Sequence, residues 1–215
     1  RLFREEVRPS ADILLDTSTS MIFEPGKAER TLELLFAALE AAGRDGCSAR
    51  VFSVCGSVIH PLSAQQLTPA RIGAELFGAP DGHAPEFSGL PLRPGSLRIL
   101  ISDLLYPGRP ETCLRPMLSG GGHGVVLAPA SSHESEPDWD GPIDLRDCES
   151  GELRRQSVDR PLLERYRHAY LQHFGLWTET SRRLGVAMAL FPAEKALKSL
   201  LAREGLSSGV VEARR

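Results

Sequence analysis

Residues 13–21 read Ile-Leu-Leu-Asp-Thr-Ser-Thr-Ser-Met, and this stretch decides how the rest of the sequence is interpreted. Its three apolar residues predict a short buried strand, and its polar residues begin where that strand ends. The next segment, residues 27–42, has the spacing of an amphipathic helix, with these residues on one face: Leu32, Leu35, Phe36 and Leu39. A strand that leads through a polar loop into such a helix is typical of α/β folds with a mostly parallel sheet.

The same alternation of strands and helices continues along the chain. The further predicted strands are 50–54, 57–61, 97–102, 124–127 and 186–190. The further predicted helices are 69–77, 110–118, 161–184 and 193–203. Residues 97–102, Leu-Arg-Ile-Leu-Ile-Ser, have the largely apolar character of a strand buried on both faces, so we predict that this strand is central.

We expect residues 1–215 to form a single domain, because this length suits one hydrophobic core with an appendage. The appendage is an acidic excursion at about residues 131–158. Its central part, residues 133–152, holds eight acidic residues against one Arg, at position 146. Within it, residues 143–145 and 153–155 flank Glu149-Ser150-Gly151, where glycine supplies the left-handed residue of a tight turn. The excursion is therefore predicted to contain a β-hairpin.

The charge balance and the apolar pattern limit the classes of partner. The chain has 25 Lys and Arg against 28 Asp and Glu, and this net charge of -3 gives no overall field to attract nucleic acid or anionic lipid. No apolar run approaches the roughly 20 residues that span a bilayer, and residues 1–8 are charged rather than signal-like. We therefore expect neither a nucleic-acid partner nor a membrane partner.

Four cysteines, at positions 47, 55, 113 and 148, form no Cys-x-x-Cys pair. Scattered thiols in a chain of this length are typical of buried, reduced cysteines rather than of a zinc site or a disulfide framework. The sequence therefore favours a cytoplasmic protein.

Polar residues follow two strands of the predicted sheet, at the point where each strand ends. Asp16, Ser18 and Ser20 alternate on the loop after the first strand, and Asp103 follows the central strand. Ligands of open α/β sheets gather at this edge, and carboxylate and hydroxyl oxygens suit Mg²⁺, Mn²⁺ or Ca²⁺. A Ser- and Thr-rich turn before a helix also serves as a helix cap, so this pattern leaves a metal site and a capping turn open.

Aromatic residues provide two further features. The predicted helix 161–184 carries an aromatic stripe on one face, which favours core packing over an aromatic ligand box: Tyr166, Tyr170, Phe174 and Trp177. Trp139 lies among acidic residues of the excursion, where an exposed tryptophan is a candidate contact for a protein partner.

Several blocks of the sequence together resemble one family. Asp-x-Ser-x-Ser at 16–20 is similar to the metal-ion-dependent adhesion site of von Willebrand factor A domains, and Ile-Ser-Asp at 101–103 resembles the second acidic element of that site. More narrowly, the chain resembles the bacterial family filed as domain of unknown function 58. The blocks that carry this resemblance are 3–6 (Phe-Arg-Glu-Glu), 14–21, 97–108 and 145–152 (Leu-Arg-Asp-Cys-Glu-Ser-Gly-Glu), together with Tyr166.

The resemblance implies a Rossmann-like von Willebrand factor A domain, with a mostly parallel central sheet and helices on both faces. It implies that Asp16, Ser18 and Ser20 bind a divalent cation such as Mg²⁺, with Asp103 binding directly or through water. It also implies a protein-interaction module, an adaptor that works with a MoxR-type AAA+ ATPase.

The sequence departs from the adhesion-site pattern at one ligand. That pattern has a Thr on the loop between its two acidic elements, whereas the Gly- and Pro-rich loop 78–95 contains none. Ser88 is the one hydroxyl of that loop and the candidate substitute. The departure keeps a metal-free scaffold open as an alternative.

A Mg-dependent phosphotransferase with Asp16 as its nucleophile is the enzymatic alternative, because such enzymes also place an Asp at the end of the first strand. They need an acid–base group beside the nucleophile, and position 18 is Ser where a second Asp is expected. No Gly-x-Ser-x-Gly elbow of a serine hydrolase occurs. We therefore predict a binding module rather than an enzyme.

Overall fold

The computed structural model describes residues 9–68, 71–72, 84–148 and 150–212. Six strands of this part form one sheet, in which the pair at one edge is antiparallel and every other neighbouring pair is parallel. In spatial order they are β3 (Val58–Leu62), β2 (Ser48–Cys55), β1 (Ser10–Asp16), β4 (Leu97–Ile101), β5 (His123–Ala130) and β8 (Ala187–Pro192). The predicted mostly parallel sheet is confirmed.

Three long helices begin with a proline in the first turn, where the missing amide hydrogen costs nothing. They are α1 (Pro25–Arg44), α2 (Pro110–Leu118) and α4 (Arg160–Leu184). Asp159 caps α4 by accepting a hydrogen bond from the Leu162 amide at 2.8 Å, and Gly185 ends it in the left-handed conformation, with φ at 71°. Two short helices are α3 (Ser132–Ser135) and α5 (Leu197–Leu200), and one π turn (Leu201–Gly205) extends α5.

The sheet is covered on both faces, as the α/β pattern predicts. Ile13 and Leu15 pack on the side of α1 and α5, whereas Leu14 packs on the side of α2 and α4. Successive residues of a strand point to opposite faces, so the middle of β1, residues 13–15, is an unbroken apolar run because both faces of the strand are buried. None of the helices in the described ranges is long and apolar enough to cross a membrane.

The acidic excursion contains the predicted hairpin, formed by β6 (Gly141–Arg146) and β7 (Leu153–Val158). Gly151, in its turn, has φ at 71°, as the sequence predicts. The predicted turn residue Glu149 lies outside the described residues, as does the 3–6 block. Of the predicted helix 69–77, only Arg71 and Ile72 are described, and both are helical.

Two predictions require correction. The last helix begins at Leu197 rather than at residue 193, because the Arg30 guanidinium holds the carbonyl groups of Ala193 and Lys195 in a loop. Of the four cysteines, only Cys113 is buried, and the other three are half-buried because they lie at strand or loop ends.

Strand order places one crevice of the sheet at the end of β1. The chain passes from β1 to β2 on one side, while β4 pairs with β1 on the other side. Leu15 pairs with Ile101, so the residues that follow these two partners meet at the same edge. Such a switch point is where open α/β sheets bind ligands.

Candidate functional site

The edge site consists of Asp16, Ser18, Ser20, Ser102 and Asp103, at the carboxyl ends of β1 and β4. Asp16 is fully buried at its centre. Its Oδ1 accepts a hydrogen bond from the Ser18 amide at 2.9 Å, and its Oδ2 accepts one from the Ser102 hydroxyl at 2.6 Å. Both carboxylate oxygens are therefore engaged by neutral donors of the protein itself.

Burial, together with the nearby Asp103 carboxylate, raises the pKa of Asp16 to about 7, although hydrogen bonds from Ser102 and Ser18 partly offset the increase. A carboxyl group with this pKa carries a proton in about half of the molecules at neutral pH. A cation that binds there has to displace that proton.

The two serines of the first loop face each other. Their hydroxyl oxygens, Ser18 Oγ and Ser20 Oγ, are 3.1 Å apart within hydrogen-bonding distance, and both residues are buried. Ser18 precedes a 3₁₀ turn (Thr19–Met21) but makes no side-chain capping bond to it. The capping alternative therefore does not account for Ser18, whose hydroxyl instead belongs to the edge site.

Asp103 is bonded to a lysine that the sequence did not single out. Its Oδ2 accepts a hydrogen bond from Lys27 Nζ at 2.8 Å, and its Oδ1 accepts one from the Leu105 amide at 3.1 Å. Lys27 lies in the first turn of α1, and its ammonium group also donates to Glu134. The side chains of Lys27 and Asp103 are 2% and 1% exposed, so this ion pair is closed off from solvent.

Glu134 reaches the site from α3. A capping box fixes it there, because Ser131 caps α3 while Glu134 Oε2 accepts a hydrogen bond from the Ser131 amide at 3.0 Å. Burial lowers the pKa of Lys27, but the carboxylates of Asp103 and Glu134 outweigh that effect and raise it overall. Lys27 is therefore a cation at any physiological pH.

The backbone beside the site is strained. Leu104 has φ at 61°, and it is the one non-glycine residue in the described part of the chain with a left-handed conformation. Its amide donates to Ser102 Oγ at 3.1 Å, and its carbonyl lies 2.8 Å from His173 Nε2. These contacts hold a conformation that costs about 1–3 kcal/mol, and such strain is commonest at functional sites.

The aromatic stripe of α4 packs against the face of the sheet that α2 and α4 cover. Phe174 and Trp177 are buried in the core on this face of the sheet, which confirms the core-packing interpretation. Tyr106, from the loop after β4, packs edge-on against Trp177 with ring centroids 6.0 Å apart. Tyr166 donates its hydroxyl hydrogen to the Glu134 carbonyl at 2.7 Å, so the stripe also supports α3.

Two predicted contact residues lie apart from the edge site. Ser88 is exposed, and no hydrogen bond in the described ranges connects it to the other predicted ligands. Trp139 is half-buried rather than exposed, because its ring packs on Tyr166 with centroids 5.2 Å apart. The structure thus brings together Asp16, Ser18, Ser20 and Asp103 but leaves Ser88 and Trp139 outside.

Sequence reasoning missed three residues of this arrangement: Lys27, Ser102 and Glu134. Ser-Ser-His-Glu at 131–134 is the capping-box pattern and predicts the position of Glu134. Ser102 directly precedes Asp103 and ends the central strand, so its proximity was also open to prediction. No local pattern predicts that Lys27 is buried.

The adhesion-site resemblance implies a divalent cation here, but the side chains as they stand do not fit one. Asp103 Oδ2 is already bonded to an ammonium group, and Asp16 lies in a closed hydrogen-bond network. Among the described residues, no group of three or more His, Cys, Asp and Glu side chains is arranged to hold a metal ion. A cation would have to displace Lys27 from Asp103 before it could use that carboxylate.

No protein-family model matches the sequence, and no curated protein sequence matches it. Among solved structures, the chain is similar to an aerotolerance-related membrane protein from Bacteroides fragilis NCTC 9343 with multiple mutations to serines. The identity is 14%, the match covers 94% of this chain and 100% of the other, and the TM-score is 0.49. A conserved hypothetical protein BatB from Bacteroides thetaiotaomicron also matches, with 14% identity, the same coverage of both chains and a TM-score of 0.47.

Proposed function

We propose that this chain is a non-catalytic protein-interaction module of the von Willebrand factor A type, and an adaptor for a MoxR-type AAA+ ATPase. The single observation that carries the interaction role is Phe23, which is 71% exposed beside the edge site. Phe23 lies between the 3₁₀ turn after Ser20 and the start of α1. Exposed aromatic side chains are enriched among the residues that anchor protein interfaces.

The residue after Phe23 is polar and hydrogen-bonded. Glu24, the next residue, lies 2.5 Å from the Nδ1 atom of His133, so α3 is tied to the loop that carries Phe23. We define the rim as Phe23, Glu24 and His133. An apolar anchor inside a polar border is the usual anatomy of a specific protein contact.

The hydrogen bonding of Asp16 supports a non-catalytic role. An aspartyl nucleophile needs a carboxylate oxygen that is open to an incoming phosphoryl group. Asp16 is 0% exposed, both of its oxygens accept hydrogen bonds, and the neighbouring polar side chain at position 18 is a serine. These features weigh against the phosphotransferase alternative.

The proposed partner comes from the resemblance of the sequence blocks, and the rim is the surface that we propose for it. The test is a binding titration of the MoxR-type ATPase from the same genome with the wild-type chain and with Phe23→Ser. We expect Phe23→Ser to weaken binding at least tenfold. Leu176→Ser, which replaces a 51% exposed leucine on α4, is the matched control and should leave affinity unchanged.

Equal weakening by the two variants, or no binding by the wild-type chain, would overturn the proposal. Hydrolysis of p-nitrophenyl phosphate in Mg²⁺ is measured in parallel. We expect no turnover above that of the Asp16→Asn variant, and turnover that depends on Asp16 would favour the enzymatic alternative.

A further inference from the structure

We infer that Lys27 is the resident cation of the edge site, and that its ammonium group excludes the divalent metal that the adhesion-site pattern implies. By resident cation we mean a positive charge that is covalently part of the chain and bonded to the carboxylates of the site. This inference rests on the geometry of the side chains and does not depend on the proposed partner.

Hydrogen bonds fix both the backbone and the ammonium group of Lys27. Its backbone carbonyl accepts a hydrogen bond from the Thr31 hydroxyl at 2.9 Å within α1, and its ammonium group donates to Asp103 and Glu134. The side chain is 2% exposed, so solvent does not compete for the ammonium hydrogens. An ammonium group has three such hydrogens, and two carboxylates engage two of them.

Both carboxylates that meet Lys27 are themselves held in place. Asp103 also accepts from the Leu105 amide, and Glu134 also accepts from the Ser131 amide. Neither carboxylate can bind a metal ion without breaking its hydrogen bond to the backbone amide or its hydrogen bond to the ammonium group. A buried ammonium group that loses a carboxylate partner is strongly destabilising, because its charge is left without compensation.

A divalent cation at Asp16 and Asp103 would also lie close to the ammonium group. The carboxylates of Asp16 and Asp103 interact electrostatically, and Asp103 accepts a hydrogen bond from Lys27. The three groups therefore belong to one electrostatic cluster. Two positive centres in one buried cluster repel each other, and burial leaves little solvent to screen that repulsion. The Lys27 ammonium group and a metal ion therefore exclude each other from the edge site.

Removal of the Lys27 ammonium group should turn the edge site into a metal-binding site. In Lys27→Met, an unbranched apolar side chain of similar length replaces lysine. The carboxyl groups of Asp16 and Asp103 then remain with the hydroxyls of Ser18 and Ser20, and these hard oxygen ligands carry excess negative charge. The variant is expected to bind Mn²⁺ or Mg²⁺ where the wild-type chain does not.

The experiment is calorimetric titration of Mn²⁺ into five chelator-treated proteins: the wild type, Asp16→Asn, Lys27→Met, Lys27→Met/Asp16→Asn and Lys198→Met. Lys198 is exposed on α5, so its variant controls for the loss of one positive charge. We expect no saturable binding by the wild type or by Lys198→Met. We expect saturable binding by Lys27→Met, and at least a tenfold loss of affinity when Asp16→Asn is added.

Two results would overturn the inference. One is saturable Mn²⁺ binding by the wild type that Asp16→Asn abolishes, and the other is a folded Lys27→Met protein that binds no Mn²⁺. If Lys27→Met does not fold without metal, Lys27→Met/Glu134→Gln takes its place, because it removes one carboxylate together with the ammonium group. The same binding is expected of it, and its absence from the folded variant counts equally against the inference.

Discussion

The ammonium group of Lys27 and the carboxylate of Asp103 lie 2.8 Å apart at the carboxyl edge of the sheet, and neither side chain is more than 2% exposed. Charges that are removed from water in this way depend on each other, because the loss of either one leaves the other without compensation. The pair joins the first turn of α1 to the loop after β4, which are 76 residues apart in the chain. We therefore expect it to control both the stability and the ligand chemistry of this edge.

Lys27→Met should lower the free energy of unfolding by about 3–5 kcal/mol, because it leaves the Asp103 carboxylate buried and unpaired. Urea unfolding at pH 7 in the presence of a chelator measures this loss. The double variant Lys27→Met/Asp103→Asn should lose less than the sum of the two single changes. Strict additivity would contradict the pairing, and Lys198→Met should change stability by no more than about 0.5 kcal/mol.

The raised pKa of Asp16 predicts that stability depends on pH. The folded protein holds a proton on Asp16 up to a pKa of about 7, whereas the unfolded chain releases it near the ordinary value of about 4. The stability that this proton provides is therefore complete below pH 4 and is lost as the pH rises to 7. The expected slope is of the order of 1 kcal/mol per pH unit, measured by urea unfolding from pH 5 to pH 8.

Asp16→Asn is the control for this slope, because a neutral amide cannot titrate while its oxygen and nitrogen can still bond to the Ser18 amide and the Ser102 hydroxyl. The pKa of Glu134 is also raised, chiefly by burial, but Glu134 titrates in both proteins. The difference between the two curves therefore isolates Asp16. Parallel curves would show that Asp16 is ionised throughout and that its burial does not govern its protonation.

A third buried carboxylate, Asp12, should stabilise the amino-terminal edge of the sheet. Burial raises its pKa, but hydrogen bonds from Arg50, Arg93 and Ser96 outweigh that effect and hold the pKa below its usual range. Asp12→Asn should cost about 3 kcal/mol near pH 7. Because the pKa is lowered, this advantage of the wild type is present above pH 4 and is lost as the pH falls through the folded pKa.

Asp144→Asn is the matched control for Asp12. Asp144 accepts a hydrogen bond from Arg155 Nε at 3.0 Å, close to the 2.9 Å between Asp12 and Arg50 Nε, but both partners of the hairpin pair are exposed. Its loss should therefore change stability by no more than about 0.5 kcal/mol. Equal costs at the two positions, measured by urea unfolding, would refute the argument from burial.

Gly122 and Gly175 should respond to alanine in opposite directions. A Cβ atom on Gly122 would lie 2.6 Å from Nη1 of Arg98, a buried guanidinium that Pro116 and Arg93 carbonyls hold by hydrogen bonds of 2.9 Å. Gly122→Ala should therefore cost about 1–3 kcal/mol. Gly175, on α4, has no atom within 4 Å of such a Cβ, so Gly175→Ala should stabilise by about 0.5–1 kcal/mol in thermal or urea unfolding. The same sign at both positions would contradict the described packing.

The fold was largely predictable from the sequence because its signals are local. The apolar residues before Asp16 and Asp103 predicted two strands of one sheet, and the structure pairs these two strands directly. The hairpin and the long helices were also predicted, since glycine in a tight turn and proline in a first turn act within a few residues. The start of α5 was predicted wrongly, because Arg30, on a helix that is distant in the sequence, holds the loop before α5.

The meeting of Asp16, Ser18, Ser20 and Asp103 was predictable for the same reason, but the partner of Asp103 was not. Lys27 is a polar residue in the first turn of a helix, a position that is usually solvated. Its burial depends on Glu134, which is 107 residues away and comes from a short helix in the acidic excursion. Long-range contacts of this kind leave no local pattern in the sequence, and therefore the chemistry of the edge site required the structure.

A metal-independent interaction module should bind its partner equally well with and without Mg²⁺. The affinity of the nucleotide-free MoxR-type ATPase for the wild-type chain and for Asp16→Asn is measured first in excess chelator and then in Mg²⁺. We expect the same affinity in all four titrations, because Asp16 is buried and Lys27 already supplies the positive charge. Binding that requires Mg²⁺ and disappears in Asp16→Asn would contradict it and would establish a working metal-dependent adhesion site.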